Sequence, residues 1–508
     1  MRLILPTLAL IFWSISGSAD HHAEASKISA NNLSDIVKVM ASDEFEGRAP
    51  GTVGEDKTVA YLIAQMKKIG LTPGGTEGSW TQAVPMMRSE VKPSAKMSFS
   101  SVDRVLTLAQ GTSVSVDTAT ARTSIVATDV PVVFVGFGAN APEQDWDDYG
   151  GIDLTGKLAI YLVNDPDFAA EPQEAVAGRF GNRRMTYYGR WTYKFEEAAR
   201  RGAFGALVIH ETEAAGYDWS VAAAGAGENV SLANKDPQAL PVTLQGWLHN
   251  DAARELLAAA GHDLDALRNT ARQPEFQAFE LEGMLFEADL EVDITTFDSQ
   301  NVLGLLPGNE RPEEVIMASA HWDAYGIGAP DEQGRTVRSG ANDDALGSAG
   351  ILELARVIKA QPAMARSVVF AFWTAEEAGL VGSMAYAADP IFPIEKTVAN
   401  FTVDILQTAG AAKDVILVGK GQSELEDSLA RVAEAAGRYV TEENLPENGL
   451  FYRADHFSMA RVGVPVLLMM GNAGGADLVV GGREAGNQWI TDYVGNCYHK
   501  PCDAWSAD

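Results

Sequence analysis

From residue 301 to residue 471 the chain repeats one pattern: an apolar run of strand length, a polar residue at its end, then a loop or an amphipathic helix. The runs are NVLGLLP, EEVIMASAHWD, SVVFAFWTAEE, VANFTVDILQ and PVLLMMG, with the helical segment DALGSAGILELARVIKA between the second and the third. Strands that are apolar almost throughout must be buried on both faces, which is the condition of a parallel sheet covered by helices. The fold class is therefore α/β, a mixed, mostly parallel sheet sandwiched by helices.

Two further regions attach to this core. The stretch NLSDIVKVMASDEFEGRAPGTVGEDKTVAYLIAQMKKIGLTPGG predicts a short helix, a glycine-rich turn and a second helix. In the second helix Val59, Leu62, Ile63, Met66 and Ile69 share one face, and Gly70 caps it. This part is scaffold. From Val126 the texture changes to short β-rich runs, VPVVFVGFGA, GKLAIYLV and GALVIH, with the helix YKFEEAARRGAFGALVI among them. They predict an inserted α+β unit over residues 126–290, between an N-terminal part at 20–125 and a catalytic part at 291–508.

The leader MRLILPTLALIFWSISGSA, residues 1–19, has one arginine, a short apolar core broken by Pro6, and small residues at its end. That is the pattern of a cleavable secretory signal, and it implies a periplasmic or secreted protein. No later run is long enough to span a membrane. The formal charge of −30 excludes nucleic acid and anionic membrane surfaces as partners. The only cysteines, Cys497 and Cys502, allow neither a disulfide framework nor a cysteine-rich metal site, but in an exported chain they can pair with each other.

In open α/β sheets the chemistry collects beyond the carboxyl ends of the strands. Those ends carry His321 and Asp323, then Glu376 and Glu377, then Asp404, while SGANDDALGS places Asp343 and Asp344 at a strand-to-helix turn. Each alone could be a cap, a turn residue or a surface charge. Gathered at one sheet edge they need positive charge, and no lysine or arginine cluster accompanies them. A metal site supplies it. Histidine with carboxylates suits zinc, with manganese or cobalt as possible substitutes. Of the eight histidines only His321, His456 and His499 lie in the chemical third, and no His-Glu-x-x-His helix occurs.

The ordered set HWDAYG, SGANDDALGSAG, WTAEEAGLVGS, VD and CYHKPCD resembles the co-catalytic di-zinc aminopeptidase family that also contains glutamate carboxypeptidase. The inserted unit, with VVFVGFG, DLTGKLAIYLV and KFEEAARRGAFGALVI, resembles a protease-associated domain. The resemblance implies a phosphorylase/hydrolase-like sheet, two zinc ions, peptide substrates and an aminopeptidase. It makes Asp343 the bridging ligand, His321 and Asp404 the partners of one ion, and Glu377 and His499 those of the other. Glu376 is then the general base. Tyr498 is the implied donor to the oxyanion, and His456 lies near the substrate, although by sequence alone it competes with His499 as the last ligand. Asp323 and Asp503 are implied to support the ligands. The sequence departs from the pattern at Thr402 and Leu346, where asparagine and serine are common, and it stops nine residues after His499.

Three other functions share the frame: a glutamate carboxypeptidase-like enzyme, an aminoacyl cyclotransferase, and a catalytically dead, receptor-like binding protein. The last should have lost ligands, whereas all five and Glu376 are present.

Overall fold

Helix α1 (Ala30–Met40) begins where the Ser29 hydroxyl accepts a hydrogen bond from the Asn32 amide. Helix α2 (Val53–Ile69) begins at Thr52 and ends at Gly70, whose φ of 88° is the left-handed cap expected there. Val59, Leu62 and Met66 are buried, and Ile63 and Ile69 pack half-buried against the same core. This computed structural model describes residues 27–233 and 241–507. The expected leader, residues 1–19, and the following His21 and His22 lie outside the described residues. Among the described residues no helix is long and apolar enough to cross a membrane.

After α2 the chain forms β1 (Thr81–Val91), β2 (Lys96–Ser100), β3 (Val105–Leu108), β4 (Val114–Asp117), β5 (Ser124–Gly136) and β6 (Leu158–Leu162). Helix α3 (Trp191–Arg200), β7 (Gly205–Ile209), β8 (Leu244–Leu248), α4 (Asn250–Ala259) and α5 (Leu264–Ala271) follow. The last part holds β9 (Phe279–Leu306), β10 (Arg311–His321), α6 (Leu346–Lys359), β11 (Arg366–Trp373), α7 (Val381–Ala388), β12 (Thr397–Asp404), α8 (His456–Arg461) and β13 (Val466–Met470).

The first sheet runs β13-β12-β10-β11-β9-β1, with β13, β12, β10 and β11 parallel and the β9 pairings antiparallel. Helices cover both faces, as the apolar runs require. On one side Met40, Leu62, Met66, Ile351 and Leu352 pack on Phe370 and Phe372. On the other Tyr386 and Met459 pack on Met317, Val369 and Trp373.

The second sheet runs β9-β5-β6-β7-β8-β4, with β2 and β3 alongside. Its strand pairings extend beyond residues 126 and 290. Strands β2 and β4 already pair with β9 and β8, so this sheet takes in residues from Lys96 on. Strand β9 is 28 residues long and serves both sheets, its first half pairing β5 and β2 and its second half β1 and β11. An alternating pattern marks a strand but says nothing of its partner, so the sequence leaves these assignments open.

Leu352 of α6 is almost fully enclosed in the core that α1, α2 and α6 form on the sheet. Leu352→Ala is expected to destabilise the protein by about 2–5 kcal/mol through the cavity it leaves. Denaturant unfolding checks this, and a loss below about 1 kcal/mol would show that the layer collapses around the gap.

Candidate metal centre

Because β10, β11 and β12 are parallel, their carboxyl ends share one edge. His321 ends β10, Trp373 ends β11 just ahead of Glu376, and Asp404 ends β12. Asp343 comes from the turn Ala341–Ala345 that leads into α6, and His499 from the C-terminal loop. Cys497 and Cys502 form a disulfide across a Cα–Cα distance of 5.0 Å, closing that loop around Tyr498 and His499.

Two sets of ligand atoms result, each with its atoms within 4.8 Å of one another: His321, Asp343 and Asp404, and Asp343, Glu377 and His499. Asp343 belongs to both. A further grouping of His321, Glu376 and Glu377 overlaps them. His321 Nε2 lies 3.2 Å from Asp343 Oδ1 and 3.9 Å from Asp404 Oδ1. On the other side His499 Nε2 lies 3.3 Å from Asp343 Oδ2 and 3.4 Å from Glu377 Oε2.

The donor set fits a cation. Asp404 Oδ1, Glu377 Oε1 and His499 Nε2 are buried and have no hydrogen-bond partner. His321 Nδ1 lies 3.1 Å from the Asp323 carbonyl oxygen and 3.4 Å from Asp323 Oδ1. A proton on Nδ1 therefore leaves the Nε2 lone pair facing two carboxylates, which only a further proton or a metal ion can reconcile. The electrostatics agree. Burial, with Asp343 next, pushes Asp404 up to about 8. Burial also carries Glu376 and Glu377 well above the ordinary carboxylate range. Burial pushes Asp343 up as well, but the neighbouring His321 and His499 imidazoles outweigh it and hold Asp343 low. Without added positive charge the cluster can ionise only in part.

The match to known proteins falls on this edge. Residues 301–507 fit the model of peptidase family M28. This part of the chain is similar to that family. Aminopeptidase NAALADL1 of Mus musculus is 32% identical over 180 residues, which cover 32% of this chain and 22% of that protein. Leupeptin-inactivating enzyme 1 of Streptomyces exfoliatus is 28% identical over 234 residues, 44% of this chain and 48% of that one. The chain thus spans less than half the length of these curated relatives. The solved aminopeptidase from Aneurinibacillus sp. strain AM-1 superposes with a TM-score of 0.51 at 19% identity, covering 96% of this chain and 90% of its own, a likeness of fold.

Around these candidate ligands the backbone is strained where side chains must be aimed. Ala375, ahead of Glu376, has φ 52°; Ile405, after Asp404, has φ 46°; His499 itself has φ 62°. Left-handed conformations at residues with a Cβ persist only where the surroundings impose them, and they concentrate at functional sites. Asp323 ties two loops together, because besides facing His321 its carboxylate accepts hydrogen bonds from the amides of Glu376 at 3.1 Å and Glu377 at 3.4 Å. Asp503 does the same for the Asp343 turn, accepting from the Asn342 amide at 2.9 Å and the Asp343 amide at 3.1 Å.

Tyr498 packs its ring on His499, with centroids 3.5 Å apart. His456 is elsewhere. It is wholly buried at the start of α8, its ring 4.8 Å from that of Phe451, and it belongs to none of the ligand groups. It stands in neither ligand set, because α8 turns it into the core. Two residues escaped the sequence reading. Tyr325, in the HWDAYG motif, stacks on His499 with centroids 4.4 Å apart. Arg453 sits just before His456. Burial lowers its pKa, and Tyr498, Tyr217, Glu376 and Tyr325 together carry it above the ordinary arginine value. Among the described residues it forms no ion pair.

Burial holds the pKa of His456 down at about 3, against an ordinary 6.5. The unfolded chain therefore binds a proton below pH 6.5 that the folded chain refuses, and this stability is lost as pH falls from about 6.5 towards 3. Compared with His456→Phe, the wild type should lose up to about 1.4 kcal/mol more per pH unit across that window. Parallel pH curves in urea unfolding would contradict the buried neutral imidazole.

Proposed function

We propose that this chain is a di-zinc metallopeptidase that removes N-terminal residues from peptides. The observation that carries the reading is the pair of ligand sets sharing Asp343, with Glu376 beside them and outside both. Two divalent ions held by His321 and Asp404, by Glu377 and His499, and by Asp343 between them would polarise the scissile carbonyl and lower the pKa of water at the site.

The chain's own residues do the rest. Glu376, anchored through its amide by Asp323, accepts the proton of the attacking water and passes it to the amine as the C–N bond breaks. Its burial favours the protonated form and so suits it to hold that proton between the two events. Burial likewise keeps the Tyr498 hydroxyl protonated, so it can donate to the oxyanion of the tetrahedral intermediate. Manganese or cobalt could replace zinc in such ligands.

The second sheet is read as a protease-associated unit that borders the site and limits substrate size. Arg461 Nη1 bonds Glu196 Oε1 at 3.0 Å, and Tyr187 packs on Tyr452, which supports a fixed attachment beside the Arg453 loop. Export follows from the leader alone. Arg453, a cation at the site without an ion-pair partner among the described residues, favours a second reading in which a substrate carboxylate is held there, as in a carboxypeptidase acting on acidic C-terminal residues.

Hydrolysis of matched peptides with free and N-acetylated amines separates the two. Cleavage of the free-amine peptide alone is expected, and preferential cleavage of acetylated peptides ending in glutamate would favour the carboxypeptidase. Glu376→Gln should keep both metals and lose roughly 100- to 10,000-fold in turnover, whereas Glu377→Ala should lose a metal. Identical behaviour of the two variants in metal analysis and kinetics would refute the division into base and ligand.

A further inference from the structure

Arg48 lies in FEGRAPGT, the glycine-rich turn between α1 and α2 that the sequence presents as scaffold. It is fully buried. A guanidinium taken out of water is costly unless its donors are met. Here they are met by backbone oxygens alone: Nε donates to the Trp322 carbonyl at 2.7 Å, Nη1 to those of Met40 at 2.9 Å and Ser339 at 2.5 Å, and Nη2 to that of Gly340 at 2.9 Å. Trp322 stands between His321 and Asp323, and Ser339 and Gly340 lead into the Asp343 turn. One side chain thus grips both ligand-bearing segments.

The turn is pressed against the same region. A Cβ at Gly47 would lie 2.6 Å from the Arg338 carbonyl oxygen and 2.7 Å from that of Gly326, and φ there is 67°. Glu46 and Arg48 are also left-handed, each at φ 52°. Strain at residues with a Cβ calls for a compensating role. The charge has one too, since Asp323, Asp503, Asp344 and Asp343 oppose the lowering of the Arg48 pKa by burial.

We propose that Arg48 is a positioning residue of the metal centre: its guanidinium pins the His321 segment to the Asp343 turn and so sets the separation of the two ligands. The inference rests on the metal-centre reading. A lysine carries the charge but only one nitrogen, and cannot reach carbonyls spread over a planar fork.

The test is a zinc titration of metal-stripped full chain against a chromophoric chelator, for wild type, Arg48→Lys, Arg48→Gln and Leu256→Ala, the last removing a buried side chain from the second unit's core. Wild type should take two zinc ions. Both Arg48 variants should bind at least one ion roughly ten- to a hundredfold more weakly, Gln more so than Lys, while Leu256→Ala loses thermal stability but keeps wild-type affinity. Arg48 variants that match wild type, or a control that loses as much affinity as they do, would overturn the proposal. Wild type that binds no zinc would overturn the metal-centre reading and this inference with it. Should the Arg48 variants not fold, amide exchange on wild type decides: zinc loading should slow exchange in residues 41–51 along with 321–324 and leave 250–259 unchanged, and an unchanged 41–51 would overturn the proposal.

Discussion

Like charge crowded into a low-dielectric edge is the constraint on which the rest of this structure depends. Asp323, Asp343, Asp344, Glu376, Glu377 and Asp404 are buried or half-buried around His321 at the carboxyl ends of three parallel strands. Two unit charges about 4 Å apart cost about 4 kcal/mol at an effective dielectric constant of about 20. Several such terms would exceed a net stability of roughly 5–15 kcal/mol. The cluster must therefore stay partly protonated or take up cations, and the shared position of Asp343 between two ligand sets makes the second solution geometrically ready.

That readiness is held by groups that do not themselves face a substrate. Asp323 binds the Glu376 loop, Asp503 binds the Asp343 turn, and Arg48, from the opposite end of the chain, binds the Trp322 carbonyl and those of Ser339 and Gly340 ahead of that turn. The left-handed residues Ala375, Ile405 and His499 sit at bends beside the candidate ligands. Local preference and global fold disagree at these few places, as expected where stability is given up for a preorganised site.

Much of the catalytic part was legible in the sequence because both of its signals are periodic and local. Apolar runs buried on two faces identify parallel strands, and polar residues at their ends bring His321, Asp323, Glu376, Glu377 and Asp404 to one edge; only the family resemblance divides them into candidate ligands and base. The partners of β2, β3 and β4 were not legible, since alternation does not encode pairing, and neither was the double membership of β9. Arg48 was invisible for a related reason: it binds backbone carbonyls, which leave no mark in the sequence. The burial of His456 was not legible, because a histidine in this segment looks the same in the sequence whether α8 turns it in or out. The left-handed Ala375 and Ile405 are residue types that give no warning of such a conformation.

The most direct test of the account is anomalous scattering from crystals of the zinc-loaded protein, measured on either side of the zinc absorption edge. Two peaks are predicted, flanking the Asp343 carboxylate, one beside His321 and Asp404 and the other beside Glu377 and His499. A map with no peak at the edge of the sheet, or with a single peak that does not touch Asp343, would contradict it.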